Sequence, residues 1–169
     1  MKKYFFFFIF FNILIFKASA EIVYIDMNFV LKESKVGKSL NTHITKIKNK
    51  NFTKFKEIEE DLKKKENILL TQQNILSKSE FEKKLKILSS EIDEYRKNKK
   101  ISEEELNKLM IKNTKEILEL LNPIITNYVE SNSIIMVLPK KNIIVGKKNL
   151  DITNQIIDLL NKKIQKLNF

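Results

Sequence analysis

A run of 85 residues, from Lys38 to Asn122, contains neither glycine nor proline. These two residue types are the usual punctuation of a globular fold, so a chain without them has few places to turn. Lysine, glutamate, leucine, isoleucine and asparagine fill the interval, and they are good or acceptable helix formers. The sequence therefore predicts a long helical element over this interval.

The apolar residues of the interval recur at near-heptad spacing in patches, which is typical of the narrow seam of a coiled coil. The seam residues are Leu40, Ile44, Ile47, Phe55, Ile58, Leu62, Leu69, Leu85, Leu88, Ile92 and Tyr95. A single straight helix of this length would span about 130 Å and would leave its seam without a partner. The pattern therefore favours a break near the middle and two arms folded together.

The predicted break lies at Ser77, because Ser77 and Glu80 have the spacing of a capping box and Phe81 restarts the apolar pattern. Folding the chain about residues 77 and 78 places several opposite charges across from one another. Glu57, Glu59 and Glu60 come near Arg96 and Lys97, and Lys63, Lys64 and Lys65 come near Glu91 and Asp93, although Asp61 falls opposite Glu94. Exposed ion pairs contribute only about 0 to 1 kcal/mol each, so chance pairing on solvated faces remains an alternative.

The first twenty residues have the form of a secretory leader. Lys2 and Lys3 precede an apolar run from Tyr4 to Phe16, and Ala18-Ser19-Ala20 has the small-x-small pattern of a signal-peptidase site. A membrane anchor is the rival interpretation, but a run of 13 residues is short against the roughly 20 that span a bilayer. We therefore expect cleavage before Glu21 and export.

The exported chain is basic and has no thiol chemistry. The sequence contains no cysteine, so neither a disulfide nor a thiolate nucleophile is expected. Removing the three leader lysines from 32 basic residues leaves 29 against 21 acidic residues, a formal charge of +8. Such a surface favours anionic partners, namely acidic polypeptides or an anionic membrane surface. Nucleic acid is not expected, because exported chains seldom meet it.

Short β-rich runs flank the helical interval. The predicted strands cover residues 21–27, 133–138 and 143–145, with a turn at 139–142 and Gly146 closing a hairpin. Residues 28–36 are weakly helical, and Gly37 would permit a bend before the long arm. On the return arm, which runs from Ser79 to about Glu130, Pro123 predicts a kink one turn earlier. Asp151 is expected to cap a final amphipathic helix.

These elements predict an α+β fold. A long antiparallel coiled-coil hairpin, residues 37–130, is inserted into a small three-stranded β body formed by residues 21–36 and 131–169, which also contains the C-terminal helix. A sheet of that size is marginal alone and exposes its edges. We therefore expect the body to oligomerise.

Three stretches resemble the Skp (OmpH-like) periplasmic chaperone family, and the similarity spans the whole chain after the leader. They are Ile22 to Met27, Leu120 to Ile124, and Leu150 to Thr153 with its continuation to Leu160 and Asn161. The resemblance implies a homotrimer whose sheets join into a β-barrel and whose hairpins surround a cavity that holds unfolded outer-membrane proteins. It also implies a periplasmic, ATP-independent holdase without a cofactor. The arms here are rich in lysine and asparagine, whereas relatives commonly carry glutamine and alanine.

Two sets of residues are candidates for function. The arm lysines are expected to attract unfolded clients through many weak contacts: Lys46, Lys48, Lys50, Lys54, Lys56, Lys63, Lys64, Lys65, Lys83, Lys84 and Lys86. Strand residues are expected to join the subunits: Ile22, Val23, Ile25, Ile135, Val137 and Ile144. Solubility alone is the alternative role for the lysines. Phe52, Phe55 and Phe81 either face the cavity or pack in the seam.

Catalytic chemistry finds little support. His43 is the only histidine in the sequence, so neither a histidine cluster for metal nor a catalytic triad has a second member. The acidic runs 57–61 and 103–105 place neighbouring carboxylates in different directions around a helix. With Gly37 and Gly146 as the only glycines, no glycine-rich phosphate loop can form. We expect neither an enzyme nor a metal site.

Two other function classes remain open beside the chaperone. An exported coiled-coil adaptor or envelope spacer would favour one unbroken coiled coil. A lipid-surface-binding protein would favour a wide apolar face opposite lysines. The comparable arms and flanking strands favour the chaperone.

Overall fold

The computed structural model describes residues 21–168, so the predicted leader lies outside the described residues. In chain order the elements are β1 (Glu21–Ile25), α1 (Met27–Glu33), α2 (Lys35–Thr71), α3 (Lys78–Ser131), β2 (Ile134–Pro139), two short 3-10 turns (Lys140–Asn142 and Lys148–Leu150) and α4 (Thr153–Lys163). Most of the chain is helical, and the two strands form one small sheet.

The long interval folds as a helical hairpin, as the sequence predicts. Helix α2 has 37 residues and α3 has 54, and the turn between them covers residues 72–77. Ser77 begins α3 with a complete capping box: its hydroxyl accepts from the Glu80 amide at 3.3 Å, and the Glu80 carboxylate accepts from the Ser77 amide at 3.2 Å. A local pattern of two residues therefore ends one arm and starts the other. The unbroken helix typical of an adaptor is not observed in this interval.

The arms pack in the antiparallel register that folding about residues 77 and 78 predicts. Lys65 forms an ion pair with Glu91 at 2.8 Å, and the Asn51 amide donates to the Ser102 hydroxyl at 2.7 Å. Two of the predicted cross-arm partners instead form ion pairs within their own helix: Arg96 lies 3.8 Å from Asp93, and Lys63 lies 2.8 Å from Glu59. Helix α3 continues through Pro123 to Ser131.

The seam is buried in patches. Its buried members are Leu40, Phe55, Leu62, Leu69 and Leu88. The prediction was wrong for Leu85, which is exposed beside Glu82, Lys86 and Ser89. A spacing rule identifies one apolar stripe, but near the tip it cannot tell which stripe meets the partner helix.

The bend at the root of the arm lies at Ser34, and the expectation of a bend at Gly37 was wrong. Buried Ser34 ends α1 and caps α2, with its hydroxyl accepting from the Gly37 amide at 3.2 Å. Gly37 lies inside α2, where a Cβ would fall 1.7 Å from the Leu31 carbonyl oxygen. The glycine is therefore needed for close approach of two backbone segments rather than for a turn.

The sheet has two parallel strands rather than three. β1 pairs with β2 with Val23 opposite Val137 and Tyr24 opposite Leu138, and the hairpin serves as the crossover connection that parallel strands need. The third strand predicted at 143–145 was wrong, because Ile144 is 100% exposed and lies outside any ladder. This segment is instead held through Tyr24, whose hydroxyl donates to the Lys147 carbonyl at 3.1 Å.

One core joins the sheet to both arms and to α4. The residues with the least exposure in it are Val30, Val36, Ile117, Leu121, Ile156 and Leu160. Helix α4 begins at Thr153, and its N-cap position is Ile152 rather than the predicted Asp151. Asp151 still contributes to the start of the helix, because its carboxylate accepts a hydrogen bond from the Thr153 amide at 3.0 Å. The body core therefore extends into residues 117–124 of the return arm, beyond the predicted body.

Candidate functional site

The eleven arm lysines are all exposed in the structure. Eight of them lie on α2, and three lie on the first turns of α3: Lys46, Lys48, Lys50, Lys54, Lys56, Lys63, Lys64 and Lys65 on α2, and Lys83, Lys84 and Lys86 on α3. They therefore form a basic surface that runs from the lower arm to the tip.

Some of these lysines are held by carboxylates. Lys63 lies 2.8 Å from Glu59, and Lys65 lies 2.8 Å from Glu91 and 3.0 Å from Asp61. The hydrogen bond with Glu59 raises the pKa of Lys63, and the hydrogen bonds with Glu91 and Asp61 raise the pKa of Lys65. These contacts lie toward the tip, so residues 59–65 are closer to charge balance than residues 46–56, which lie nearer the body.

The lower arm is a basic stretch, which we define as Lys46, Lys48, Lys50, Lys54 and Lys56. It contains no acidic residue before Glu57. Lys56 approaches Glu60 only to 4.0 Å, and Lys54 lies 5.6 Å from the centre of the Phe55 ring. This geometry leaves the positive potential of the lower arm largely uncompensated on its own helix.

The three candidate phenylalanines have different surroundings. Phe55 is buried and meets Tyr95 edge-on at 6.0 Å, and Phe81 packs partly buried against the tip cluster of Leu62, Leu69 and Leu88. Phe52 is 69% exposed. Phe55 and Phe81 therefore pack in the seam, and Phe52 is the phenylalanine of the three that faces solvent.

Phe52 opens onto a cleft between the arms. The cleft has a volume of about 450 Å³ and is lined by Phe52, Phe55, Tyr95 and Leu106 among others. We call it the mid-arm cleft. Sequence reasoning missed it, although the polar residues Asn51 and Ser102 at seam level are a signal that the apolar packing is interrupted there.

The candidate oligomerisation residues divide into two groups. Val23 and Ile25 are buried in the chain's own core, so they are not exposed to a neighbour. Ile22, Ile135 and Ile144 are exposed, and Val137 is half-buried. Exposed apolar side chains therefore lie on the sheet and on the segment after it.

A polar cluster in the body was also missed. Lys140 lies 2.8 Å from Asp151 and 6.0 Å from the centre of the Tyr24 ring. Burial alone raises the pKa of Asp151, but hydrogen bonds from Lys140 and Thr153 together lower that pKa below its ordinary value. The hydrogen bond to Asp151 raises the pKa of Lys140. This cluster connects β1 to the segment before α4.

Two further observations concern residues 21–168 only. In that part of the chain, no group of three histidine, cysteine, aspartate or glutamate side chains is arranged to hold a metal ion. Of its helices, none is both long enough and apolar enough to cross a bilayer.

Residues 21–160 match the family of OmpH-like outer membrane proteins. The chain belongs to the OmpH-like family. This confirms the resemblance that Ile22 to Met27, Leu120 to Ile124 and the stretch from Leu150 to Asn161 suggest.

A solved structure supports the same fold. The crystal structure of a proposed outer membrane chaperone (OmpH-like) from Caulobacter crescentus superposes with a TM-score of 0.81 and covers 89% of each chain, at 15% sequence identity. At this level of sequence identity, the similarity shows a shared fold and does not show a shared role. A search of curated protein sequences gives no match for this OmpH-like chain.

Proposed function

We propose that this OmpH-like protein is an ATP-independent holdase chaperone of the periplasm that keeps unfolded outer-membrane proteins from aggregating. Membership of the family and a fold shared with a proposed outer membrane chaperone support a chaperone role. The observation that carries the proposal is the hairpin itself, which presents a long basic surface away from a small body. A surface of this kind attracts anionic chains from a distance and releases them readily.

The proposal includes a homotrimer. Within residues 21–168 the sheet has two strands. The outer edge of β1 is partly covered, because the Ile152 amide donates to the Tyr24 carbonyl at 3.0 Å, and β2 leaves backbone groups at the other edge. An unpaired edge favours pairing with another chain. Ile135 is 63% exposed and Ile144 is fully exposed close to that sheet. Three copies would cover these apolar groups and would surround a cavity with three hairpins.

The oligomer is tested by one substitution in the sheet. Ile135→Asp places a charge among the apolar groups that the proposed interface would bury, and an unpaired buried charge is strongly unfavourable. Light scattering at micromolar concentration should give the mass of a trimer for the wild type and a smaller mass for the variant. A wild type that is monomeric under these conditions contradicts the trimer.

The chaperone role is tested with an unfolded outer-membrane barrel protein diluted out of denaturant. Without nucleotide, increasing amounts of the OmpH-like protein should lower the light scattering of that client. A matched control is the same protein with the distal arms, residues 58–92, replaced by a short Gly-Ser linker, which removes the tip cluster and leaves the body core. Equal aggregation with and without the full-length protein refutes the proposed function.

A further inference from the structure

The mid-arm cleft exists because the apolar seam is interrupted. The body core reaches up the arms to Ile44 and Ile117, and the tip cluster begins again at Ile58 and Tyr95. Between these levels the arms are joined by the Asn51–Ser102 hydrogen bond at 2.7 Å. A short polar pair joins two helices without filling the space that larger apolar side chains would occupy, so a gap remains.

The gap has the size and lining of a binding site. Its 450 Å³ falls within the range of about 300 to 1,000 Å³ that is common for ligand pockets. Phe52, Phe55, Tyr95 and Leu106 give it an apolar lining. Tyr95 and Phe55 already form an edge-on pair. A third aromatic ring can pack against such a pair in the same favourable geometry.

The rim of the cleft is positively charged. Lys48, Lys56 and Lys99 line it together with two carboxylates, Glu59 and Glu103. Glu59 is occupied, because it accepts hydrogen bonds from Lys63 at 2.8 Å and from the Tyr95 hydroxyl at 3.2 Å. Of the rim lysines, Lys56 approaches Glu60 only to 4.0 Å, and Lys99 donates to a neutral acceptor, the Tyr95 hydroxyl, at 3.5 Å. The rim therefore has an excess of cations over available anions, and it complements an occupant that carries negative charge beside an apolar group.

We propose that the mid-arm cleft seats one aromatic side chain of an unfolded polypeptide, with acidic residues next to that side chain contacting the rim lysines. The inference rests on the proposed chaperone function and adds a sequence preference to it. The aromatic ring packs on Phe52, Phe55 and Tyr95, and the neighbouring carboxylates meet Lys48, Lys56 and Lys99. Each hairpin then holds its client at one defined place in addition to diffuse attraction along the arm.

The first test uses a short blocked peptide, Gly-Asp-Trp-Asp-Gly, and the intact protein. The protein contains no tryptophan, so the fluorescence anisotropy of the peptide reports binding without background. Phe52→Ala should weaken binding by about tenfold, the equivalent of one lost aromatic pair. Ile111→Ala is the matched control, because it also shortens an exposed apolar side chain of an arm helix but lies outside the cleft lining, and it should leave binding unchanged.

Two altered peptides test the chemistry of the occupant. Replacing tryptophan by alanine, read by competition against the first peptide, should abolish displacement. Replacing both aspartates by lysines should weaken binding at least about tenfold, because like charges would meet at the rim. Equal affinity for all three peptides overturns the inference.

The second variant closes the cleft. Asn51→Leu with Ser102→Leu replaces the polar pair by apolar side chains that continue the seam, so the arms should remain folded while peptide binding is lost. Retained peptide binding with an unchanged circular dichroism spectrum overturns the inference. A change in mass by light scattering also overturns it, because the cleft would then hold a second copy of the chain. Displacement of the peptide by phosphatidylglycerol vesicles assigns the cleft to lipid and likewise overturns it.

The outcome for the cleft and the outcome for the chaperone role are separable. If the wild type suppresses client aggregation but binds no peptide, the inference fails and the proposed function stands. If the peptide binds as described but client aggregation is unaffected, the cleft is supported as an acidic-aromatic site and the chaperone role fails.

Discussion

Gly37→Ala is the substitution for which the structure gives the clearest expectation. Within a helix this change ordinarily stabilises a protein by up to about 1 kcal/mol, and Gly37 is the third residue of α2. Here the new Cβ would lie 1.7 Å from the Leu31 carbonyl oxygen, whereas real Cβ contacts essentially never fall below 3.0 Å. The backbone of α1 or α2 must therefore move by at least 1.3 Å, the difference between those two distances.

Gly37→Ala is therefore expected to destabilise the protein rather than to stabilise it. Overpacking in a tight site costs about 1 to 3 kcal/mol, and a clash with backbone belongs at the upper end because no side-chain rotation relieves it. After the gain in helix propensity, the net loss should be about 2 kcal/mol or more, which lowers Tm by about 4 to 8 °C for a chain of this size.

The assay is thermal unfolding by circular dichroism at one fixed protein concentration, because association shifts Tm. Gly146→Ala is the matched control. The Cβ of this alanine would lie 2.7 Å from a ring carbon of Tyr24, which belongs to a side chain and not to the backbone. The decrease in Tm should therefore be smaller than for Gly37→Ala. A Gly37→Ala protein that is as stable as the wild type, or more stable, refutes the reasoning about the root of the arm.

Two further predictions concern the body and the tip. Because the folded pKa of Asp151 lies below its ordinary value of 3.8, its charged form stabilises the fold above that pH, and the contribution is lost as pH falls through the lower folded pKa. Asp151→Asn should therefore lower Tm by about 2 to 4 °C near neutral pH, and a difference that persists unchanged at pH 2 would contradict the role of its charge. Limited proteolysis with trypsin should cut first near Lys78, which is exposed beside the turn at residues 72–77, and earlier cutting near Lys99 would contradict the position of the tip.

The hairpin was predictable because its signals are local. The capping box of Ser77 and Glu80 spans four residues, and the seam repeats over neighbouring turns of the same helix. Both signals can be read without knowing where the ends of the chain lie. The register of the arms followed from the tip position alone, and the Lys65–Glu91 ion pair agrees with it.

The sheet was less predictable because its contacts join residues far apart in sequence. Strands β1 and β2 are separated by the whole hairpin, and nothing in either run specifies a parallel pairing. The segment 143–145 has the β-branched composition of a strand, but the Tyr24 contacts with Gly146 and Lys147 hold the chain there through a side chain. A composition rich in β-branched residues indicates a preference for extended backbone, but it does not indicate which backbone groups form hydrogen bonds with another strand.

The sequence predicted the positive charge of the arms, but it did not predict the mid-arm cleft between them. Lysines on long helices are exposed almost wherever they occur, so their placement followed from the sequence. The mid-arm cleft depends on which side chains from two helices meet at one level, and that requires the register of Asn51 against Ser102. The client-binding role of the lysines remains a prediction.

The central claim is that the basic lower arm captures acidic unfolded clients by diffuse electrostatic attraction. The most direct measurement is the rate at which the protein captures a fluorescent, unfolded, acidic outer-membrane barrel protein in stopped flow. It compares the wild type with a variant in which Lys46, Lys48, Lys50, Lys54 and Lys56 are all changed to Gln. The matched control carries the same loss of charge on the body and the C-terminal region, at Lys147, Lys148, Lys162, Lys163 and Lys166, which are likewise exposed.

The wild-type rate should fall as salt rises, because exposed charges are screened over about 8 Å at 0.15 M ionic strength. The arm variant should capture the client several-fold more slowly at low salt and should respond less to salt, and the body variant should stay close to the wild type. Equal rates for all three proteins with no dependence on salt would contradict the account.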